Sequence, residues 1–513
     1  GSDFHYLYYM YALERVGRLS GRRYLTDSNG RQIDWYREGA AALLRRQQES
    51  GGFGTSMSGS ATSEVSLGLL FLAKGKRQVV VNRLEYGQPS VWNGHPMSDQ
   101  HLTAHTEQAW KRDLAWQVVR LGAAKVEDLL EAPVLFISGS HAPNFSEQDK
   151  YLLKRYVEQG GFIFAEACNG DGCQGGEFER YFQQLVVELF EAPLERLSPD
   201  HPIWYAQSRI DPKDLPQGTW LYGVQTCCRL GVVYSPYSLS CRWELNLPYG
   251  NRPDYTQAVQ SDMNTATKIG MNVLTYASGK ELKQKLETVS VLEEVKQVTS
   301  TDRGLFVLPV LMHNAGADDA PKAVKTLIEW LNQEHPFQMS SQKRNISMSR
   351  DELQKHPVVF MHGRGELQLT ESQRDALRKH FEVGGFLICN AICADEQFAA
   401  SFRSEMQTIL GQALTPLAPQ HAMFTNRYNG FDIRQLSVID PAMGGGGELV
   451  VNTRKISPII EAGTLNGRIV VAFSPLDMSC ALESRHSLQC KGYVREDAAR
   501  LGINMILFAL QQE

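Results

Sequence analysis

Cys168, in the run Glu166-Ala167-Cys168-Asn169-Gly170, is the side chain best placed for covalent chemistry, because it follows apolar residues, Phe162 to Ala165, that read as a buried strand. A thiol in such a loop becomes a nucleophile when a neighbouring base takes its proton, and His141 or His201 could serve, with Glu166 as a nearby carboxylate. Loops after other apolar runs carry polar groups suited to holding a ligand. These are Asn169, Ser235, Tyr237 and Cys241 in the first half, and His362, Asn390, Ser474, Asp477 and Cys480 in the second. No complete triad can be read in either half, and a buried cysteine also serves as a small hydrophobe.

The remaining motifs narrow the chemistry. Cys241 and Cys480 each lie within the pattern Ser-Pro-x-x-x-Ser-Cys-x-x-Glu, so one job is expected of both. It could be packing, a disulfide to Cys168 or Cys393, or half of a metal site with Cys173, Cys227, Cys228 or Cys490 as further ligands. Cys480 with Cys490 is the local pair favoured for a disulfide. Without a C-x-x-C knuckle, no metal or cofactor is assigned. His201 and His421, each two residues after a proline, read as loop caps. His101 and His105 share a helical face but lack the glutamate of a zincin helix, and read as solvated. Ser235 and Ser474 lack a G-x-S-x-G elbow. No Walker loop or G-x-G-x-x-G is present, and the glycines Gly444 to Gly447 open no helix.

The elements that position these loops occur twice. Pro133 to Phe162 lies without gaps over Pro357 to Phe386, and Leu194, Leu197, Pro199 and His201 match Leu414, Leu417, Pro419 and His421. Arg229, Ser235-Pro236, Ser240-Cys241 and Glu244 then match Arg468, Ser474-Pro475, Ser479-Cys480 and Glu483. Ordered blocks of this kind imply a tandem duplication. Each copy alternates apolar strands with amphipathic helices, which implies α/β domains with doubly wound parallel sheets covered on both faces. The boundaries expected are a helical segment over 1–77, a first α/β domain over 78–279, a linker over 280–302 and a second α/β domain over 303–513. In the second copy the strands are expected at Leu305 to Met312, Phe337 to Ser340, Val358 to His362, Phe386 to Asn390 and Ile469 to Ser474. Asp440 to Gly447 is expected to be a disordered loop tip.

The 513 residues, 42% hydrophobic and 21% charged with a formal net charge of -5, describe a globular chain with no basic stripe, so nucleic acid is not an expected partner. No apolar run is long enough to span a bilayer. Gly1-Ser2 looks like a protease scar. A signal peptide ahead of it would place the protein in the periplasm or outside the cytoplasm. The two copies are expected to pack as a pseudo-twofold pair.

Asp34-Trp35-Tyr36, Leu43-Leu44-Arg45-Arg46-Gln47-Gln48, Gly51-Gly52-Phe53-Gly54 and Leu69-Leu70-Phe71-Leu72 resemble the terminal repeat of terpenoid-cyclase and protein-prenyltransferase α/α toroids. Neither the aspartate-rich cyclase motif nor the prenyltransferase zinc ligands are present. The tandem unit, through Ala132 to Gly139, Gly160-Gly161-Phe162, Glu166 to Gly170, Pro199-Asp200-His201-Pro202, Val233 to Pro236 and Gly270-x-Asn272, resembles a bacterial family of unknown function. That family's fold is similar to flavodoxin-like class I glutamine amidotransferases, and it is found fused to prenyltransferase or squalene-oxidase-type repeats. The resemblance implies fold and fusion but no reaction. Amidotransferases set their cysteine in a G-x-C-x-G elbow, and Glu166-Ala167-Cys168-Asn169-Gly170 lacks the first glycine. The reading is therefore a non-catalytic binding or scaffolding module, with a cysteine-dependent hydrolase or amidotransferase in the first copy as the alternative.

Overall fold

The computed structural model of the protein describes residues 6–29, 31–53, 61–169, 174–215, 220–226, 229–250, 253–283, 305–336, 338–342, 344–483 and 490–512. Most of the expected linker, together with Cys173, Cys227 and Cys228, lies outside them.

The helical lead consists of α1 (Tyr6–Ser20), α2 (Trp35–Arg46) and α3 (Ala61–Gly75). Their apolar faces bring Leu7, Met10, Trp35, Tyr36, Leu43 and Phe71 into one core. Asp34 caps α2 by accepting the Arg37 N–H. The lead is tied to the first α/β domain by Arg23, which is 1% exposed and pairs with Asp34, Asp128 and Glu131. Burial pulls the Arg23 pKa down, but Glu131, Asp34 and Asp128 together hold it above the ordinary value. Next to it, Gly21 has φ +63° and lies so close to the Trp116 ring that a Cβ would sit 2.4 Å from it. Only glycine meets both demands.

The first α/β domain contains β1 (Gln78–Leu84), β2 (Leu114–Val119), β3 (Val134–Gly139), β4 (Phe162–Ala167), β5 (Glu195–Arg196), β6 (Tyr222–Thr226) and β7 (Arg229–Ser235). They lie in the order β2-β1-β3-β4-β7-β6-β5, parallel from β2 through β7, with β5 and β6 antiparallel at one edge. Its longer helices are α4 (Ser98–Trp110), α5 (Glu147–Glu158), α6 (Gly176–Phe190), α7 (Leu239–Leu245) and α8 (Gln257–Ser278). Strand alternation sends Leu135, Ile137, Ile163 and Ala165 into the core under α5 and α6. Phe136 and Phe164 point the other way, onto Trp243 of α7 at 5.3 and 6.0 Å between ring centroids.

The second α/β domain repeats the plan. Strands β8 (Val310–Leu311), β9 (Asn345–Ile346), β10 (Val358–Gly363), β11 (Phe386–Ala391), β12 (Thr415–Pro416), β13 (Glu461–Leu465) and β14 (Arg468–Ser474) lie in the order β9-β8-β10-β11-β14-β13-β12. Helices α10 (Glu371–Glu382) and α11 (Glu396–Leu410) cover one face. Helices α9 (Ala323–Glu334), α12 (Ser479–Leu482) and α13 (Arg495–Gln511) cover the other. Both sheets share the flavodoxin-like order, in which ligand sites fall at the carboxyl ends of the parallel strands.

Two expectations need correction. Leu305 to Met312 is not one strand. It breaks into Phe306–Val307, paired with Met339–Ser340, and β8, because Pro309 between them has no N–H to give a ladder. Asp440 to Gly447 is not a disordered tip either, since Leu436–Met443 pairs antiparallel with Leu449–Ile456 and the glycines make the turn. Among the described residues no helix is long and apolar enough to cross a membrane.

Candidate functional site

At the carboxyl end of the first sheet the dominant group is Glu166, near the end of β4 and fully buried. Its Oε2 accepts the Leu239 and Ser240 N–H groups at 2.9 and 3.0 Å, the open end of α7. Oε1 accepts the hydroxyls of Ser138, at 2.9 Å, and Ser240. Burial pushes its carboxyl pKa up, with Ser240, Arg83 and Ser138 pulling the other way.

At the same place in the second sheet stands Asn390, also fully buried. Its Oδ1 accepts the Met478 and Ser479 N–H groups at 3.2 and 3.1 Å, and its Nδ2 donates to the carbonyls of Ser474 and Leu476. A carboxylate and an amide therefore do one job, closing the helix end that follows the last parallel strand. His362, where the first copy has Ser138, contacts the Ser479 hydroxyl at 2.9 Å through Nδ1 and the Ala317 carbonyl at 3.1 Å through Nε2. A carbonyl only accepts, so Nε2 carries the proton and Nδ1 receives the serine O–H. Both side chains are buried, which makes the pair a packed contact rather than an open dyad.

Several other positions shared between copies behave alike, although Cys241 is a thiol where Cys480 is disulfide-bonded. The Ser235 and Ser474 hydroxyls each donate to the carbonyl two residues on, of Tyr237 and Leu476, at 2.7 Å. His201 and His421 accept the N–H of Ile203 and Met423 on Nδ1, the loop-cap role expected of them, and burial lowers the His201 pKa to about 4. Asn272 and Asn504 each hold a loop from a helix, Asn272 through Gln207 and Ser208, Asn504 through Met423 and Phe431. Glu244 and Glu483 accept the N–H of Met97 and Lys322, just ahead of α4 and α9.

Cys168 is disulfide-bonded. Its Sγ stands 3.9 Å from Nε2 of His95, whose Nδ1 lies 3.3 Å from Glu244 Oε2. The imidazole brought to the sulfur is thus His95. The bases expected from sequence are engaged differently: His141 is exposed with Nδ1 2.9 Å from the Ser140 hydroxyl, and His201 is the loop cap just described. Asn169 is occupied in the loop, accepting the Gly175 N–H at 2.7 Å and donating to the Pro236 carbonyl. Tyr237 meets Arg242 through its hydroxyl, and Cys241 is a partly exposed thiol outside any disulfide. Asp477, fully buried, accepts the N–H groups of Cys393, Cys480 and Ala481, and burial raises its pKa to about 6.

Two readings of the histidines and cysteines are corrected. His101 and His105 are not a solvated face; their rings meet the carbonyls of Glu244 and Asn246 at 2.9 Å, at the end of α7. Cys490 is not in a disulfide, so the local pair with Cys480 is not one. His95 escaped the sequence reading because it sits in a loop with no periodicity, and only the register of Glu244 with Glu483 pointed towards its neighbourhood.

Residues 80–278 and 307–510 match the family described as a domain of unknown function (DUF4159). No curated protein matches the chain. The chain belongs to that family and carries its domain twice.

Proposed function

We propose that this tandem pair of family domains, with its helical lead, is a non-catalytic binding or scaffolding module of amidotransferase-like descent. The observation supporting this most strongly is the shared bonding at the carboxyl ends of both sheets. Glu166 and Asn390, Ser235 and Ser474, Glu244 and Glu483 all have polar atoms committed to the chain's own backbone, where a doubly wound enzyme would aim them at substrate. One surface open to a partner is the helical lead. Tyr8, Leu19 and Leu69 are 63%, 70% and 57% exposed on α1 and α3, apolar side chains of the kind that α/α repeats bury against a neighbouring hairpin.

The test has two readouts. Reduced protein offered p-nitrophenyl acetate, glutamine and γ-glutamyl-p-nitroanilide should show no turnover above a Cys168→Ala variant. A Leu19→Glu/Leu69→Glu double variant should lose binding of the apolar dye ANS without a change in melting temperature. Cys168-dependent turnover would overturn the reading.

One observation favours a second reading, a cysteine-dependent hydrolase or amidotransferase in the first domain. The line Cys168, His95, Glu244 has the order of a nucleophile, its base and the carboxylate that orients the base. With Glu244 accepting from Nδ1–H, Nε2 would face the sulfur as an acceptor. The disulfide at Cys168 must be opened before this relay could act.

A further inference from the structure

In the second domain the side chains of Cys393, Asp477, Cys480 and Cys490 converge, with one ligand atom from each lying within 4.8 Å of all the others. They come from three separate places: the turn after β11, the loop before α12 together with α12 itself, and the segment leading to α13. Cys393 and the following Ala394 both have positive φ, 55° and 54°, a conformation that L residues adopt in succession only when the surroundings enforce it. That turn brings the Cys393 N–H to Asp477 Oδ1 at 2.8 Å and its sulfur to 3.5 Å from that of Cys480. Cys393 and Cys480 are disulfide-bonded, though at 3.5 Å not to each other, since a disulfide is about 2.05 Å long. Cys490 is a thiol, and it hydrogen-bonds the Asp477 carboxylate.

We propose that the reduced protein holds a zinc-class divalent metal ion at Cys393, Cys480, Cys490 and Asp477, and that oxidation of Cys393 and Cys480 disarms the site. Three sulfurs and one carboxylate oxygen are a tetrahedral zinc donor set. With metal–ligand bonds of about 2.0–2.3 Å, tetrahedral neighbours stand roughly 3.3–3.8 Å apart, so the four atoms need only small shifts. The Cys490 S–H proton now bridging to Asp477 marks where the metal would sit. The N–H groups of Cys393, Cys480 and Ala481 already fix the Asp477 carboxylate, as an outer shell fixes a ligand. The first domain serves as an internal control, because the matching positions there are Asn169, Ser238 and Cys241 and leave a single sulfur. Arming the site requires a reductant of the dithiol or phosphine class. Two electrons and two protons cleave each S–S bond to two thiols, and metal binding then releases the thiol protons to solvent.

The experiment titrates the full chain with cobalt(II) after phosphine reduction under argon. The expected result is a tetrahedral ligand-field spectrum with sulfur-to-cobalt charge transfer, saturating at one ion per chain and displaced by zinc. Oxidised protein should give no such spectrum. Cys490→Ser and Asp477→Asn should each weaken zinc binding by at least the ~10-fold that loss of an outer-shell partner costs, and Cys241→Ser should leave it unchanged. Circular dichroism of both ligand variants separates a lost ligand from a lost fold. A cobalt spectrum without thiolate bands, zinc affinity indifferent to both variants, or alkylation showing Cys393 and Cys480 still oxidised after reduction would overturn the proposal.

Discussion

Replacing Glu166 should distinguish a structural carboxylate from a reactive one. The group is fully buried, and its Oε2 alone satisfies two N–H groups at the start of α7. Glu166→Ala leaves both donors buried without a partner, at about 1–3 kcal/mol each, so a loss of roughly 2–6 kcal/mol is expected. Glu166→Gln keeps an oxygen for the two donors, and its amide can donate to the Ser138 or Ser240 hydroxyl. Asn390 shows that an amide does this job in the second sheet, so the glutamine variant should stay within about 1 kcal/mol of wild type near pH 5.

The pH dependence carries the sign. Burial raises the folded pKa of Glu166 above its unfolded value of roughly 4.3. Below that value the carboxyl is protonated in both states and its contribution to stability is fully present. As pH rises through the folded pKa the unfolded chain has already released its proton, and that contribution is lost. Glu166→Gln does not titrate, so its stability relative to wild type should climb from pH 4 upward and then level off. Urea unfolding followed by tryptophan fluorescence measures this, because Trp243 packs on Phe136 and Phe164 beneath α7. An alanine variant as stable as wild type, or a glutamine variant as damaged as the alanine one, would refute the capping role.

Arg23→Met should cost about 3–5 kcal/mol, because it leaves Asp34, Asp128 and Glu131 facing one another with only the more exposed Arg37 beside Asp34 and Glu131. Hydrogen exchange should then show α1 to α3 opening ahead of the first sheet. Gly21→Ala should destabilise the same junction by more than the roughly 1–2 kcal/mol of a left-handed L residue, since its Cβ would also strike Trp116. A melting temperature equal to wild type would contradict that. His201, His313 and His380 are each lowered to about 4 by burial, against roughly 6.5 when unfolded. Each therefore contributes stability that is present above pH 6.5 and lost as pH falls towards 4. Acid unfolding should take up as many as three protons from these groups, and His201→Gln should reduce that uptake.

The duplicated sheets were legible because apolar strands and amphipathic helices leave periodic marks, and two copies in register reinforce each other. The matched pairs Glu244 with Glu483 and His201 with His421 could also be aligned from sequence. For the glutamates, the loop they cap is distant in the chain, so their job was hidden. His95 reaches Cys168 across 73 residues, and nothing in a local pattern records that approach. The Cys393 turn depends on consecutive left-handed residues that are neither glycine nor asparagine, so its sequence gives no turn signal. The hairpin of Leu436–Met443 and Leu449–Ile456 was missed because the first copy has no matching segment to align with it.

In the proposed reading the carboxyl ends of these sheets hold the chain together and do not transform a substrate. The most direct test is the rate of iodoacetamide alkylation of Cys168 in reduced protein across pH, read by mass spectrometry of the peptide. The account expects slow alkylation at neutral pH, at a rate that His95→Ala leaves unchanged. A thiolate formed well below pH 7, with alkylation that collapses in His95→Ala, would contradict it and identify the first domain as an enzyme.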